Sequence, residues 1–196
     1  MNGQARRKAA IIVATTKDAF KAFFQISKGD DPKDVTKKIS IVGVRRFFYA
    51  MADYWTILLC ASLVSTMKYW GWPFWQIAIA IWAVDFAFAM FFMVLSEKSG
   101  HDITLGESFR RAADVIHSSN QMIGILTFVG LNVKAVIWDG PEQVVIFFKK
   151  EIGGMGRMSA ILVVLTLVQG IFWAWVYGLG YESVTEIIKH FFTEVM

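Results

Sequence analysis

The chain has 196 residues, of which 56% are hydrophobic and only 18% are charged. In soluble domains about a quarter of the residues are charged, so this composition argues against a soluble enzyme and predicts a small polytopic membrane protein. Residues 1–46 hold eleven of the 20 Lys and Arg residues, although the net charge of the whole chain is only +4. Such clustering is typical of a membrane-topology signal beside anionic lipids, and we expect no nucleic-acid binding.

Residues 5–27 have the pattern of an amphipathic helix, with aromatic side chains on one face and lysines on the other. This pattern predicts a helix in the headgroup plane; a helix packed on the protein's own cytoplasmic face is the alternative. Gly29 and Asp31-Pro32 then predict a break and the start of a second helix. The basic side chains that we expect at the lipid surface are Arg6, Arg7, Lys8, Lys17, Lys21, Arg45 and Arg46.

Four apolar stretches are long enough to be transmembrane helices, since about 20 helical residues match a hydrocarbon core of ~30 Å. The clearest is residues 75–95, where the only strongly polar side chains are Gln76 and Asp85. The predicted fold is an all-α membrane protein with amphipathic interfacial helices at both termini. Its four spans are expected at about 47–67, 75–95, 120–138 and 158–179.

The third stretch is the weakest, because it contains Asn132 and Lys134 and stops at Gly140-Pro141, before an amphipathic helix over residues 142–152. If it crosses, residues 1–46, a polar loop 96–119 and an amphipathic helix 180–196 share one side. The positive-inside rule then places both termini in the cytoplasm, with the protein in the inner membrane of the cell.

Two alternatives to this topology stay open. In the first, residues 120–152 form a re-entrant or surface segment, which leaves three spans and moves the C-terminus to the outer side. The protein could also belong to an organelle membrane, because the first 17 residues contain arginine and no acid, as transit peptides do.

Three polar side chains fall at one depth of the predicted bundle. Counting 1.5 Å per residue places Asp85 and Gln169 roughly 18 Å from the outer boundary and Asp53 roughly 10 Å from the inner one. In a core of ~30 Å these depths nearly coincide, whereas Asn132 and Lys134 would lie in the outer half. A charged Asp at mid-depth costs at least ~2.5–3.5 kcal/mol, so it should face the bundle interior. Two such carboxylates should not both stay ionised, which predicts a proton- or cation-responsive site or, alternatively, hydrogen bonds that lock helix packing.

The sequence contains no string typical of catalysis or nucleotide binding, and the single cysteine excludes an intrachain disulfide. His101 and His117 share a loop with carboxylates, but their spacing favours a solvated loop over a metal site. We therefore expect a non-enzymatic, self-associating subunit, scaffold or assembly partner of a membrane complex, without cofactor or metal. The alternative is a small oligomeric channel or proton-coupled transporter that uses Asp53 and Asp85.

Overall fold

A computed structural model of the chain describes the backbone of residues 3–195. Side chains are described for residues 6, 10–188 and 190. Within that range the chain is all-α. The elements are α1 Gly3–Phe24, α2 Pro32–Tyr69, α3 Phe74–Ser99, α4 Gly106–Ser119, α5 Gln121–Lys134, a π-helical turn Ala135–Asp139, α6 Pro141–Phe147, α7 Lys149–Ile152 and α8 Met155–Val195.

Four helical segments are long and apolar enough to cross a membrane, which confirms the predicted fold class. Large apolar side chains lie on their outer faces, for example Trp55 at 65% exposed and Leu126 at 66%. Such a surface is unfavourable in water, so lipid is the solvent that this fold requires. The four segments are Pro32–Tyr69, Phe74–Ser99, Gln121–Asp139 and Met155–Ile188.

Helices α2 and α3 form an antiparallel hairpin around the connection 70–73. Near this connection, Val64 of α2 and Ile77 of α3 are fully buried in one apolar cluster. Near the other end, the Tyr49 ring packs edge-on against Phe92, with ring centroids 5.1 Å apart. We call the end of the bundle at which residues 70–73 join α2 to α3 the connector end. The opposite end, from which the residues before Tyr49 extend, is the basic end.

Helix α8 runs antiparallel to α3. At the basic end, Met158 of α8 packs in a cluster with Met93 of α3. At the connector end, Ala174 joins the apolar cluster between α2 and α3, and Lys68 lies 2.5 Å from Glu182 in an ion pair. Helix α8 therefore begins at the basic end and leaves the bundle at the connector end.

The third apolar segment turns back before it reaches the connector end. The indole N–H of Trp173 donates to the carbonyl of Ile137 at 2.8 Å, so the tip of the segment, residues 137–141, lies beside α8. The chain then reverses at Gly140, whose φ of +117° favours glycine. Helix α6 returns towards the basic end, where Val145 packs with the cluster around Met158. Residues 121–152 thus form a hairpin whose two ends both lie at the basic end, and we call it the re-entrant hairpin; the number of membrane crossings stays a prediction.

The side of the membrane on which each terminus lies stays a prediction, and the hairpin bears on it. Because α2, α3 and α8 pass the whole bundle and the hairpin does not, residues 183–195 extend from the end opposite to residues 32–46. The C-terminal residues are helical, as predicted, but they continue α8 without a break. Glycines at 178 and 180 cost only ~1 kcal/mol each in a helix, and no proline follows them.

Helix α1 packs on α4. The rings of Phe23 and Phe109 lie 5.3 Å apart, and Arg111 donates from Nε to the carbonyl of Ala22 at 3.1 Å. One face of this amphipathic helix therefore packs on the protein itself, while Lys17 is exposed.

The break before α2 lies where the sequence predicts it. Pro32 occupies the first helical turn behind Asp31, whose side chain makes no capping hydrogen bond. Asp30 makes the side-chain contacts instead, because it accepts hydrogen bonds from the Ser27 N–H at 2.8 Å and from Lys38 Nζ at 2.6 Å. The hydrogen bond from Lys38 lowers the pKa of Asp30.

Candidate functional site

Polar side chains from α2, α3 and α8 meet in the interior of the bundle. Asp53, Asp85 and Gln169 line a cavity of about 50 Å³ and a second cavity of about 40 Å³. Thr56 also lines both, so the two cavities adjoin at these four side chains. Each is large enough for water, which needs roughly 10–15 Å³ of such space. The structure thus brings together the three side chains for which depth counting predicts a common level.

The two cavities extend from the shared side chains in opposite directions. The first reaches Tyr49 and Glu142, towards the basic end. The second reaches Trp138, Trp173 and Tyr177, towards the apolar cluster at the connector end. Together they place polar groups in a row along the axis of the bundle.

Two of the shared side chains have unused hydrogen-bonding capacity. Gln169 is 9% exposed, and its amide makes no hydrogen bond within the described part of the chain. Asp85 accepts one long contact, from Cys60 Sγ at 3.7 Å. Its Oδ2 atom is buried without a partner among the residues described. Because buried polar atoms normally have partners, these groups are available to a small polar species in the cavities.

A third carboxyl group, that of Glu142, lies at the tip of the re-entrant hairpin. It is 4% exposed and accepts a hydrogen bond from the Tyr49 hydroxyl, which also contacts the carbonyl of Asp139. The sequence predicts Glu142 at the start of an amphipathic helix over residues 142–152; a helix does begin at Pro141, but the Glu142 side chain is buried because the chain turns back into the bundle at Gly140. The only local signal of its burial is its place directly after the Gly-Pro stop.

An ionic cluster fixes the tip of the hairpin to α2. Asp139 is 6% exposed, pairs with Lys134, and lies 3.5 Å from Arg46. Lys134 therefore pairs with Asp139, and no ion pair links it to Asp85 within the described residues. Asn132 is likewise outside the polar cluster, because its amide donates to a carbonyl of its own helix at 2.6 Å.

Replacing Tyr49 by Phe is expected to destabilise the protein by about 1–3 kcal/mol, because Glu142 and a backbone carbonyl lose their buried donor. Thermal unfolding in detergent measures the change. Tyr54→Phe is the matched control, since Tyr54 is 69% exposed and loses the same hydroxyl group. Equal losses in the two variants would show that the buried contact does not hold the hairpin.

The cations predicted at the lipid surface lie in different environments, and lipid contact remains a prediction for all of them. The side chains of Arg7 and Lys8 lie outside the described residues. In chain order, Arg6 and Lys17 are exposed, whereas Lys21, Arg45 and Arg46 are half-buried.

The sequence matches no family model and no curated protein, and no solved structure matches it. The function therefore has to follow from the geometry and chemistry of the site. Within residues 3–195, no group of three or more His, Cys, Asp and Glu side chains has the arrangement of a metal site.

Proposed function

We propose that this protein moves protons within the membrane, as a small channel or a proton-coupled transporter. The observation that supports this most directly is that two cavities meet at Asp53, Asp85 and Gln169 in the interior of the bundle. A buried carboxylate is costly to keep charged, and a proton neutralises it without needing further ligands. The carboxyl groups that would exchange the proton are those of Asp53, Asp85 and Glu142.

We propose an order for the groups along this path from the contacts between them. From the basic end, a proton reaches the hydrogen-bonded pair of Glu142 and Tyr49 and then the first cavity. Asp85 accepts it there, beside Asp53, and releases it to the second cavity, which continues towards the connector end. In the working protein the unused Gln169 amide would donate a hydrogen bond to whichever carboxyl group is charged, and so stabilise the deprotonated form.

We further propose that the functional unit is a homo-oligomer surrounded by lipids that include anionic species. A single copy with three crossing helices and one hairpin rarely encloses a continuous water path. Neighbouring copies would complete the wall on the open side of the cavities.

Proton flux into liposomes tests the proposal. With valinomycin and potassium to balance charge, the purified protein should collapse an imposed pH gradient that protein-free liposomes retain. A pH-sensitive dye inside the liposomes reports the change. Flux no greater than that of lipid alone, at either sign of membrane potential, would reject a proton path.

We propose that the basic end faces the cytoplasm and that the protein lies in the inner membrane of the cell. With the re-entrant hairpin, residues 1–46, 96–119 and 149–157 flank the basic end and hold seventeen of the 20 Lys and Arg residues. Only Lys68 and Lys189 lie towards the connector end or beyond it. The positive-inside rule then places the C-terminus outside.

Cysteine labelling is expected to show the two ends of the chain on opposite sides. In a Cys60→Ser background, Ser183→Cys should react with a membrane-impermeant maleimide in spheroplasts. Ser27→Cys should react only in inverted vesicles; both serines are exposed. Labelling of both positions from one side would contradict three crossings, and a reversed pattern would contradict only the orientation.

A second candidate function is that of a non-catalytic subunit or scaffold in a membrane complex. The observation that favours it is the end of α8, which continues past Glu182 with Val184, Ile187 and Ile188 each at least 50% exposed. Apolar side chains beyond their own bundle are typical of contacts with a partner or with lipid. A pull-down of the tagged full chain in mild detergent should then recover partner subunits in fixed proportion, and recovery of this chain alone would argue against assembly.

A further inference from the structure

A cavity of about 240 Å³ lies at the basic end, between the end of α1, the start of α2 and the loop before α4. We call it the basic-end cavity. Its volume is below the ~300–1,000 Å³ of sites that enclose a drug-sized ligand, and it suits a smaller group. Its apolar walls include Phe23, Phe24, Ile41, Val42 and Leu105, and its cations are Lys38, Arg45 and Arg111.

Arg45 is the cation of this cavity that is free to bind a ligand. Lys38 is paired with Asp30 at 2.6 Å, and Arg111 donates to Ser108 Oγ at 2.8 Å. Arg45 has no hydrogen bond or ion pair within the described part of the chain. A guanidinium group carries five N–H donors in a planar fork, which matches the oxygens of a phosphate.

The two acids in the lining are engaged with other groups. The Asp102 carboxylate accepts hydrogen bonds from the backbone N–H groups of Thr104 at 2.9 Å and Glu107 at 2.7 Å, and so closes the turn before α4. Burial raises the pKa of Asp102. The Glu107 carboxylate lies 3.7 Å from Arg111. The positive charge of Arg45 therefore remains available to an anion.

The depth of Arg45 indicates which kind of phosphate it would meet. It comes directly before the apolar part of α2, where Phe47 and Phe48 are 62% and 63% exposed. Its neighbour Val44 is 55% exposed, and Phe20 on α1 is 51% exposed. A phospholipid places its phosphate at the boundary of the apolar region and its acyl chains beside such side chains, whereas a soluble phosphate compound gains nothing from them.

We propose that the basic-end cavity binds the phosphate of an anionic phospholipid, with the Arg45 guanidinium as its principal ligand and Phe23, Phe24 and Val42 beside the glycerol. This is one defined site, in contrast to the general attraction between basic residues and an anionic membrane. It does not depend on the proton path.

Lipid binding to the full chain tests this site. In native mass spectrometry from neutral detergent, the protein titrated with phosphatidylglycerol should retain one lipid more tightly than any further ones. Arg45→Gln should weaken this first binding about tenfold, because charged hydrogen bonds are lost. Lys37→Gln is the matched control: it removes an exposed charge from the same helix outside the cavity, and should change binding less than about twofold.

Val42→Trp is a second test: it keeps every charge and places a larger side chain in the cavity. It should also weaken the first binding, and it decides the question if Arg45→Gln does not fold. Equal weakening by Arg45→Gln and Lys37→Gln would overturn the proposal in favour of diffuse attraction. Displacement of the lipid by millimolar inorganic phosphate would assign the cavity to soluble phosphate compounds, and no retained lipid would remove the site. None of these results changes the expected proton flux, so the two proposals fail separately.

Discussion

Replacing Asp85 by Asn is expected to lower proton flux in liposomes about a hundredfold, because the amide keeps the shape of the side chain but cannot release a proton. Asp85 lines both cavities, and its Oδ2 atom has no partner among the described residues. A proton that passes from one cavity to the other must cross the level of this carboxyl group. A large loss is therefore expected even though Asp53 remains.

The matched control is Asp34→Asn, which removes an exposed carboxylate from the first turn of the same helix that carries Asp53. Its flux should equal that of the wild type. Infrared spectroscopy gives a readout that does not depend on transport, because the band of protonated carboxyl groups should shrink in Asp85→Asn. Unchanged flux in Asp85→Asn would remove this residue from the path, and an unchanged infrared band would show that its carboxyl group is not the protonated one.

Hydrophobic length predicted the apolar segments because a lipid-spanning helix needs ~20 apolar residues whatever its neighbours are. The same rule cannot separate crossing from re-entrance in Gln121–Asp139, since a stretch of 19 residues is long enough to cross but does not have to. The difference depends on the groups that receive the tip of the hairpin. These are Tyr49, 90 residues away from Asp139, and Trp173, 36 residues away from Ile137. No local pattern reports donors so distant in the sequence.

Depth counting placed Asp53, Asp85 and Gln169 together because each lies on a crossing helix with a clear boundary. It does not locate Lys134 or Glu142, because the hairpin reverses and a count along the chain no longer measures depth. The side of the C-terminus depends on the same reversal, since a segment that turns back changes the side of every later residue. The candidate site was thus predictable where it rests on straight helices, and not where it rests on the turn.

Replacing Gly170 by Ala is expected to destabilise the protein by about 1–3 kcal/mol, although alanine is the better helix former by about 1 kcal/mol. A Cβ atom at this position would lie 2.9 Å from Trp82 Cα and 3.0 Å from its backbone nitrogen. Backbone atoms cannot rotate out of the way, so α3 and α8 would have to separate. Because Gln169 directly precedes Gly170 on α8, this separation would also move its amide away from Asp85 on α3.

Gly130→Ala is the control for Gly170→Ala, since a Cβ at Gly130 meets nothing within 4 Å. Its unfolding temperature should stay the same or rise. Measured together, unfolding and flux distinguish two kinds of defect: Gly170→Ala should lose both, whereas Asp85→Asn should lose flux and keep its stability. An unfolding temperature equal to the wild type in Gly170→Ala would mean that α3 and α8 are not in close contact there. The cavities between these helices, and the proton path that depends on them, would then lose their structural basis.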